Sequence, residues 1–218
     1  MGGNRIPGPI GTESAMDGES VAGEGIVPGG GWVDPRPLGQ ESSPIPMAAR
    51  IIIRVTKDWD PPAPKTTPWV EASGATLADV GAALEANDEW GRGGGKLRFE
   101  DIPVGTSTNL TVTLHGNLEL RVAEWKDYAK ASAAAKKEWD RMTEKLTAHE
   151  QRHVDIAIEE FDKVASGLIG KDIVHISPMV TAANAAMKKR QIEFDQDTNH
   201  GSKKGVLYGD VYLDTSIP

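Results

Sequence analysis

The sequence predicts an α+β fold in which strands come first and long helices last. Three observations point to it. Short β-branched or alternating segments crowd into residues 51–122, residues 124–166 contain neither Pro nor Gly while apolar side chains recur at spacings of three and four, and Ser177-Pro178 opens a second helical stretch. With 218 residues, 39% hydrophobic and 26% charged, the chain has material for one full-sized domain plus an appendage, and no run approaches the roughly 18 apolar residues that would span a bilayer.

Taken in order, residues 1–47 interrupt themselves with Gly or Pro every few positions and hold no apolar periodicity, so they read as an extended arm without a core, followed by one domain over 48–218. Ile51 to Thr56 is a β-branched strand that runs into the rigid Pro61-Pro62-Ala63-Pro64 breaker, and Trp69 to Ala72 is a second strand. Thr76 caps a short amphipathic helix through Leu77, Val80, Ala83 and Leu84, which the glycines after Trp90 terminate. Lys96 to Phe99 is a weaker strand. Leu110, Val112 and Leu114 alternate, Gly116-Asn117 turns, and Leu118, Leu120 and Val122 alternate back, which predicts a hairpin. From Glu124 to Ser166 the pattern is one long helix, or two broken near the alanines, ending at Gly167 and Gly170. A last helix capped by Ser177 reaches about Phe194, and a terminal strand follows around Tyr208 to Leu213.

Charge and composition exclude several functions. The balance of 24 Lys+Arg against 32 Asp+Glu gives a net charge of -8, the opposite of a nucleic-acid footprint. No cysteine is present, so a thiol nucleophile, a zinc ribbon and a disulfide scaffold are all excluded, and any metal must be held by His and carboxylate. The N-terminus lacks a continuous apolar h-region, which predicts a cytoplasmic chain or one exported by a non-Sec route.

The chemistry concentrates in His149-Glu150-Gln151-Arg152-His153. This HExxH, placed in a helix, sets two imidazoles one turn apart on one face with Glu150 beside them. Two neutral nitrogens bind zinc, a third protein ligand and a water complete the tetrahedron, and Glu150 takes the proton from that water. The two histidines share a stripe with Trp139, Met142, Leu146 and Ile156, so they face the body of the domain, where unpaired imidazoles would be costly. A small antiparallel or mixed sheet packed on this long helix and on the C-terminal one is a zincin-like arrangement. The third ligand must come from Glu193-Phe194-Asp195-Gln196-Asp197-Thr198-Asn199-His200-Gly201, and His200 is preferred over Asp195 and Glu193 because a neutral imidazole suits zinc and Gly201 permits close approach of the loop. An outer carboxylate or hydroxyl such as Asp195 or Thr198 is then expected to orient the ligands.

An HExxH about 50 residues upstream of Phe194-Asp195-Gln196-Asp197-Thr198-Asn199-His200-Gly201 resembles the domain of unknown function 922, bacterial proteins described as predicted, often secreted, zinc-dependent proteases. The likeness runs from about Trp69 to Gly205. It implies that His149 and His153 are ligands, that Glu150 is the base, and that Asp195, Thr198 and His200 complete the site. The family commonly has Tyr where this chain has Phe194, so an oxyanion-stabilising hydroxyl is either lost here or supplied by Tyr208 or Tyr212. The leading expectation is a metallopeptidase with one zinc ion per chain acting on a peptide or protein. The alternative is an accessory or structural component of a larger bacterial assembly, docked through residues 1–47, whose zinc site is vestigial or structural.

Overall fold

The computed structural model describes residues 52–59, 62, 67–100 and 109–218, so the arm over 1–47 lies outside the described residues. In chain order the elements are β1 (Ile52–Asp58), β2 (Glu71–Ala72), α1 (Leu77–Glu85), β3 (Gly91–Phe99), β4 (Asn109–Val122), β5 (Glu124–Trp125), α2 (Ala133–Leu168) and α3 (Ile176–Thr198), with short 3-10 turns before α2 and before α3. The class is α+β as the sequence predicts. Among the described residues no helix is long and apolar enough to cross a membrane.

Strands β1, β4 and β3 form a mixed sheet in that order, β1 parallel and β3 antiparallel to β4. The expected hairpin at Gly116-Asn117 does not form. Strand β4 runs straight through it, its first half pairing with β1 and its second with β3. The apolar phase explains this. Leu110, Val112, Leu114, Leu118, Leu120 and Val122 are all even-numbered, so a continuous strand puts every one on the same face, whereas a two-residue turn would set Leu114 beside Glu119. Gly116 is needed inside the strand because an added Cβ would lie 2.7 Å from Trp59 and 2.9 Å from Phe161. The glycines after Trp90, expected only to end the α1 helix, which stops at Glu85, build the nine-residue β3.

Helix α1 starts where expected, with Thr76 and Asp79 forming a reciprocal capping box. Helix α2 is unbroken over 36 residues and starts at Ala133, with the Ser132 hydroxyl accepting from the Ala135 amide. The expected Ser177 cap of α3 is displaced. A 3-10 turn at Ile173–His175 leads straight into the helix, so Ser177 and Pro178 fall inside its first turn, where no backbone donor needs an intrahelical partner. Helix α3 continues one turn past Phe194 to Thr198 and stops at Asn199 in the left-handed conformation. The terminal strand expected around Tyr208 is an ordered loop instead.

Two apolar cores sit along α2. Its C-terminal half, through Val154, Phe161 and Leu168, packs with α3 against the inner face of the β1-β4-β3 sheet. Its N-terminal half, through Trp139, Met142 and Leu146, packs with α1, Trp125 and Val211. His149 lies between the two sets.

Helices α2 and α3 are also clamped by charge. Arg190 of α3 bridges Glu159 and Glu160 of α2, donating to Glu160 at 2.7 Å, while Lys163 donates to the same oxygen at 2.6 Å. Burial alone would raise the Glu160 carboxyl, but the hydrogen bonds from Lys163 and Arg190 outweigh it and hold the group below its usual range. A depressed native pKa contributes stability above the unfolded value of about 4.3, and that stability is lost as pH falls through the native value. Arg190→Met should therefore cost about 1–2 kcal/mol in urea melts at neutral pH. The deficit should shrink below about pH 4 as the carboxylates protonate. A deficit that persists undiminished into acid would show that ion pairing is not its origin.

Candidate metal centre

Helix α2 carries His149 and His153 on its inward stripe, where His149 is 4% exposed, His153 8% and Glu150 7%. Their ring centroids are 5.1 Å apart. Phe194, near the end of α3, stacks on His149 at 4.8 Å and meets His153 edge-on at 5.0 Å, so it fixes the attitude of both rings. One residue later, the Asp195 Oδ1 lies 3.0 Å from His153 Nε2 and 3.4 Å from His149 Nε2. Among the described residues these three side chains form a group able to hold a metal ion, with one donor atom from each and all within 4.8 Å of one another.

The far nitrogen of His149 decides what the near one is. His149 Nδ1 lies 3.1 Å from the carbonyl oxygen of Tyr208, an atom that only accepts, so Nδ1 carries the proton and neutral His149 offers a lone pair at Nε2. That lone pair faces a carboxylate oxygen, which also only accepts. Positive charge must sit between them, as protons or as a cation. The electrostatics of the side chains agree. Burial would strip the proton from His149, but the Asp195 hydrogen bond and the Glu150 charge outweigh it and hold the imidazole above its ordinary value. Burial would raise Asp195 too, yet hydrogen bonds from both histidines hold it far below the carboxylate range. Two imidazoles one turn apart and one carboxylate are a donor set that suits a divalent transition metal.

Glu150, beside the two histidines, packs against β3. An added Cβ on Gly91 would lie 2.8 Å from Glu150 Cγ, and one on Gly93 would lie 1.9 Å from the Glu150 carbonyl oxygen. The glycines thus let strand and helix touch at the motif itself. Burial pushes the Glu150 carboxyl up, only partly offset by the charges of His149 and His153.

The remaining sequence candidates fall around this group. His200, in a left-handed conformation, has its Nδ1 4.0 Å from Asp195 Oδ1 and is more open to solvent than the other two histidines. Gly201 makes the close approach expected of it, since a Cβ there would lie 3.2 Å from His149 Nδ1. Thr198, buried, donates to the Phe194 carbonyl at 2.8 Å and accepts from the Gly201 amide at 3.3 Å, so it closes the end of α3 under Asp195. Glu193 faces solvent beside Lys189. The Tyr208 ring lies 5.8 Å from that of Phe194, while the Tyr212 ring packs against Arg141 and Lys204. Sequence reasoning missed the Tyr208 carbonyl, because every residue has one and only the fold selects it. It also missed Gly91 and Gly93, whose close approach to a helix leaves no mark beyond being glycine.

A family model described as a bacterial protein of unknown function (DUF922) matches residues 68–201, more than half of the chain, and the match includes His149, His153 and Asp195. No curated protein and no solved structure matches.

Proposed function

We propose a function for this chain from the premise that it belongs to the DUF922 family of bacterial proteins: it is a zinc-dependent metallopeptidase of zincin-like fold that hydrolyses peptide bonds. The convergence of His149 Nε2, His153 Nε2 and Asp195 Oδ1, one ligating atom from each side chain and all within 4.8 Å of one another, supports it most. In this reading His149, His153 and Asp195 hold one zinc ion, and His200, with its Nδ1 4.0 Å from Asp195 Oδ1, stands just outside the ligand set. When bound, the zinc supplies a Lewis acid for the attacking water and the scissile carbonyl. Glu150, buried next to the ligands and with its carboxyl raised by burial, accepts the proton of that water as its oxygen joins the carbonyl carbon. It returns the proton to the leaving nitrogen as the C–N bond breaks. Tyr208, in contact with Phe194, is the nearer of the two tyrosines for stabilising the oxyanion.

Elemental analysis of protein purified without chelator should find about one zinc per chain, and His149→Ala or His153→Ala should remove it. Chelator competition should show Asp195→Ala losing most of the remaining affinity, whereas His200→Ala costs only about 10–100-fold, as an outer partner does. The reverse order would make His200 the ligand, and absence of any transition metal would end the metallopeptidase reading.

A further inference from the structure

Eight residues before His149 on the same helix, Arg141 forms a two-pronged pair with the buried Glu138: Nε to Oε2 at 2.8 Å and Nη2 to Oε1 at 2.7 Å. A surface ion pair would stop there. This one goes on to take three backbone groups from a single segment. Arg141 Nη1 donates to the Asp210 carbonyl at 3.1 Å, Nη2 donates to the Tyr212 carbonyl at 2.6 Å, and Glu138 Oε1 accepts from the Asp214 amide at 2.9 Å. The guanidinium also lies 4.2 Å from the centre of the Tyr212 ring. Only the planar fork of arginine reaches a carboxylate and two carbonyls at once.

The segment so gripped contains the carbonyl that meets His149. Tyr208 and Asp210 both have φ of 63°, which non-glycine residues hold only when their surroundings dictate it. Within the loop, Val211 donates to Gly201 and Asp210 to Lys203, so the direction of the Tyr208 carbonyl follows from what holds residues 210–214. We propose that Arg141, braced by Glu138, is a positioning residue for the metal centre: it holds the loop so that the Tyr208 carbonyl stays on His149 Nδ1 and leaves Nε2 for the metal. This rests on the metal reading above. It adds that the affinity of the site is set partly from two helical turns away, by a pair that touches none of the ligands.

Three readouts on the full chain separate positioning from simple anchoring of the C-terminal tail: zinc affinity by chelator competition, the His149 tautomer by imidazole nitrogen NMR of metal-free protein at alkaline pH, and the thermal midpoint. Arg141→Met should weaken zinc about 10–100-fold and convert His149 from a uniform Nδ1–H form to a mixture. Arg141→Lys, which keeps the charge beside Glu138 but has one ammonium for two carbonyls, should fall between and serves if Arg141→Met does not fold. Lys204→Met, which removes only the second cation near Tyr212, should leave tautomer and affinity unchanged. If the arginine variants lower the thermal midpoint but leave both tautomer and affinity at wild-type values, the pair is an anchor and the proposal is overturned. If wild-type protein binds no zinc, the metal reading fails by itself, and the tautomer still decides whether Arg141 positions His149.

Discussion

Glu150→Gln should retain the fold and a full complement of zinc while peptide hydrolysis falls by about 10²–10⁴-fold, the usual weight of a general base. The replacement is nearly isosteric, so the contact with Gly91 and the packing of β3 on α2 survive. What disappears is the group that accepts a proton. The carboxyl is suited to that task because burial raises it above the ordinary glutamate value, which makes it a stronger base than an exposed glutamate. The measurement is kcat on any peptide that the wild-type protein cleaves in a proteome-derived library, with zinc content determined on the same sample. Unchanged turnover would mean that another group is the base or that a contaminating protease is being measured. Loss of zinc along with activity would place Glu150 among the ligands.

Gly93→Ala should be the most damaging single methyl group in the domain. Its Cβ would stand 1.9 Å from the carbonyl oxygen of Glu150, and both partners are backbone, so no rotamer relieves the overlap. Strand β3 must then lift from α2, opening the contacts of Leu97 and Leu120 with the inner core. A cost of about 3 kcal/mol or more follows, seen as a thermal midpoint lower by roughly 6–12 °C for a chain of this size. Gly91→Ala is the informative partner. Its Cβ meets the Glu150 side chain rather than the backbone, so stability should suffer less while the carboxylate is displaced and turnover drops. A Gly93→Ala protein melting at the wild-type temperature would show that strand and helix do not meet there.

Much of this architecture is legible in the sequence where one local signal dominates. The Thr76–Asp79 box marks the start of α1, the absence of Pro and Gly together with the three-and-four spacing marks α2, and HExxH places two imidazoles on its inward face. Legibility fails where a residue's ordinary local meaning is overridden by something distant. Gly116-Asn117 has the chemistry of a turn, but the unbroken even-numbered apolar phase on either side keeps β4 straight; the signal was present and lost to the stronger local motif. The run Gly91-Arg92-Gly93-Gly94-Gly95 has poor strand propensity, and only the nearness of α2 explains why glycine is required in a strand. At the centre, periodicity identifies His149, Glu150 and His153. Which of Asp195 and His200 lies between the imidazoles depends on where α3 ends, and helix ends are the least readable feature of a sequence.

The placement of His149 between two apolar cores has a consequence for how such a chain diverges over time. Well-separated sites with no shared partners accumulate change independently, so the cluster around Trp139 and the cluster around Phe161 are each free to be repacked by compensating substitutions without consulting the other. The five residues from His149 to His153 have no such freedom, because an axial or rotational shift of α2 arising on either side reaches them through a stiff helix. Drift in the surroundings is tolerated separately on each flank but is constrained jointly at the motif, and relatives should therefore differ most in one half or the other while keeping the length of helix between the two halves constant.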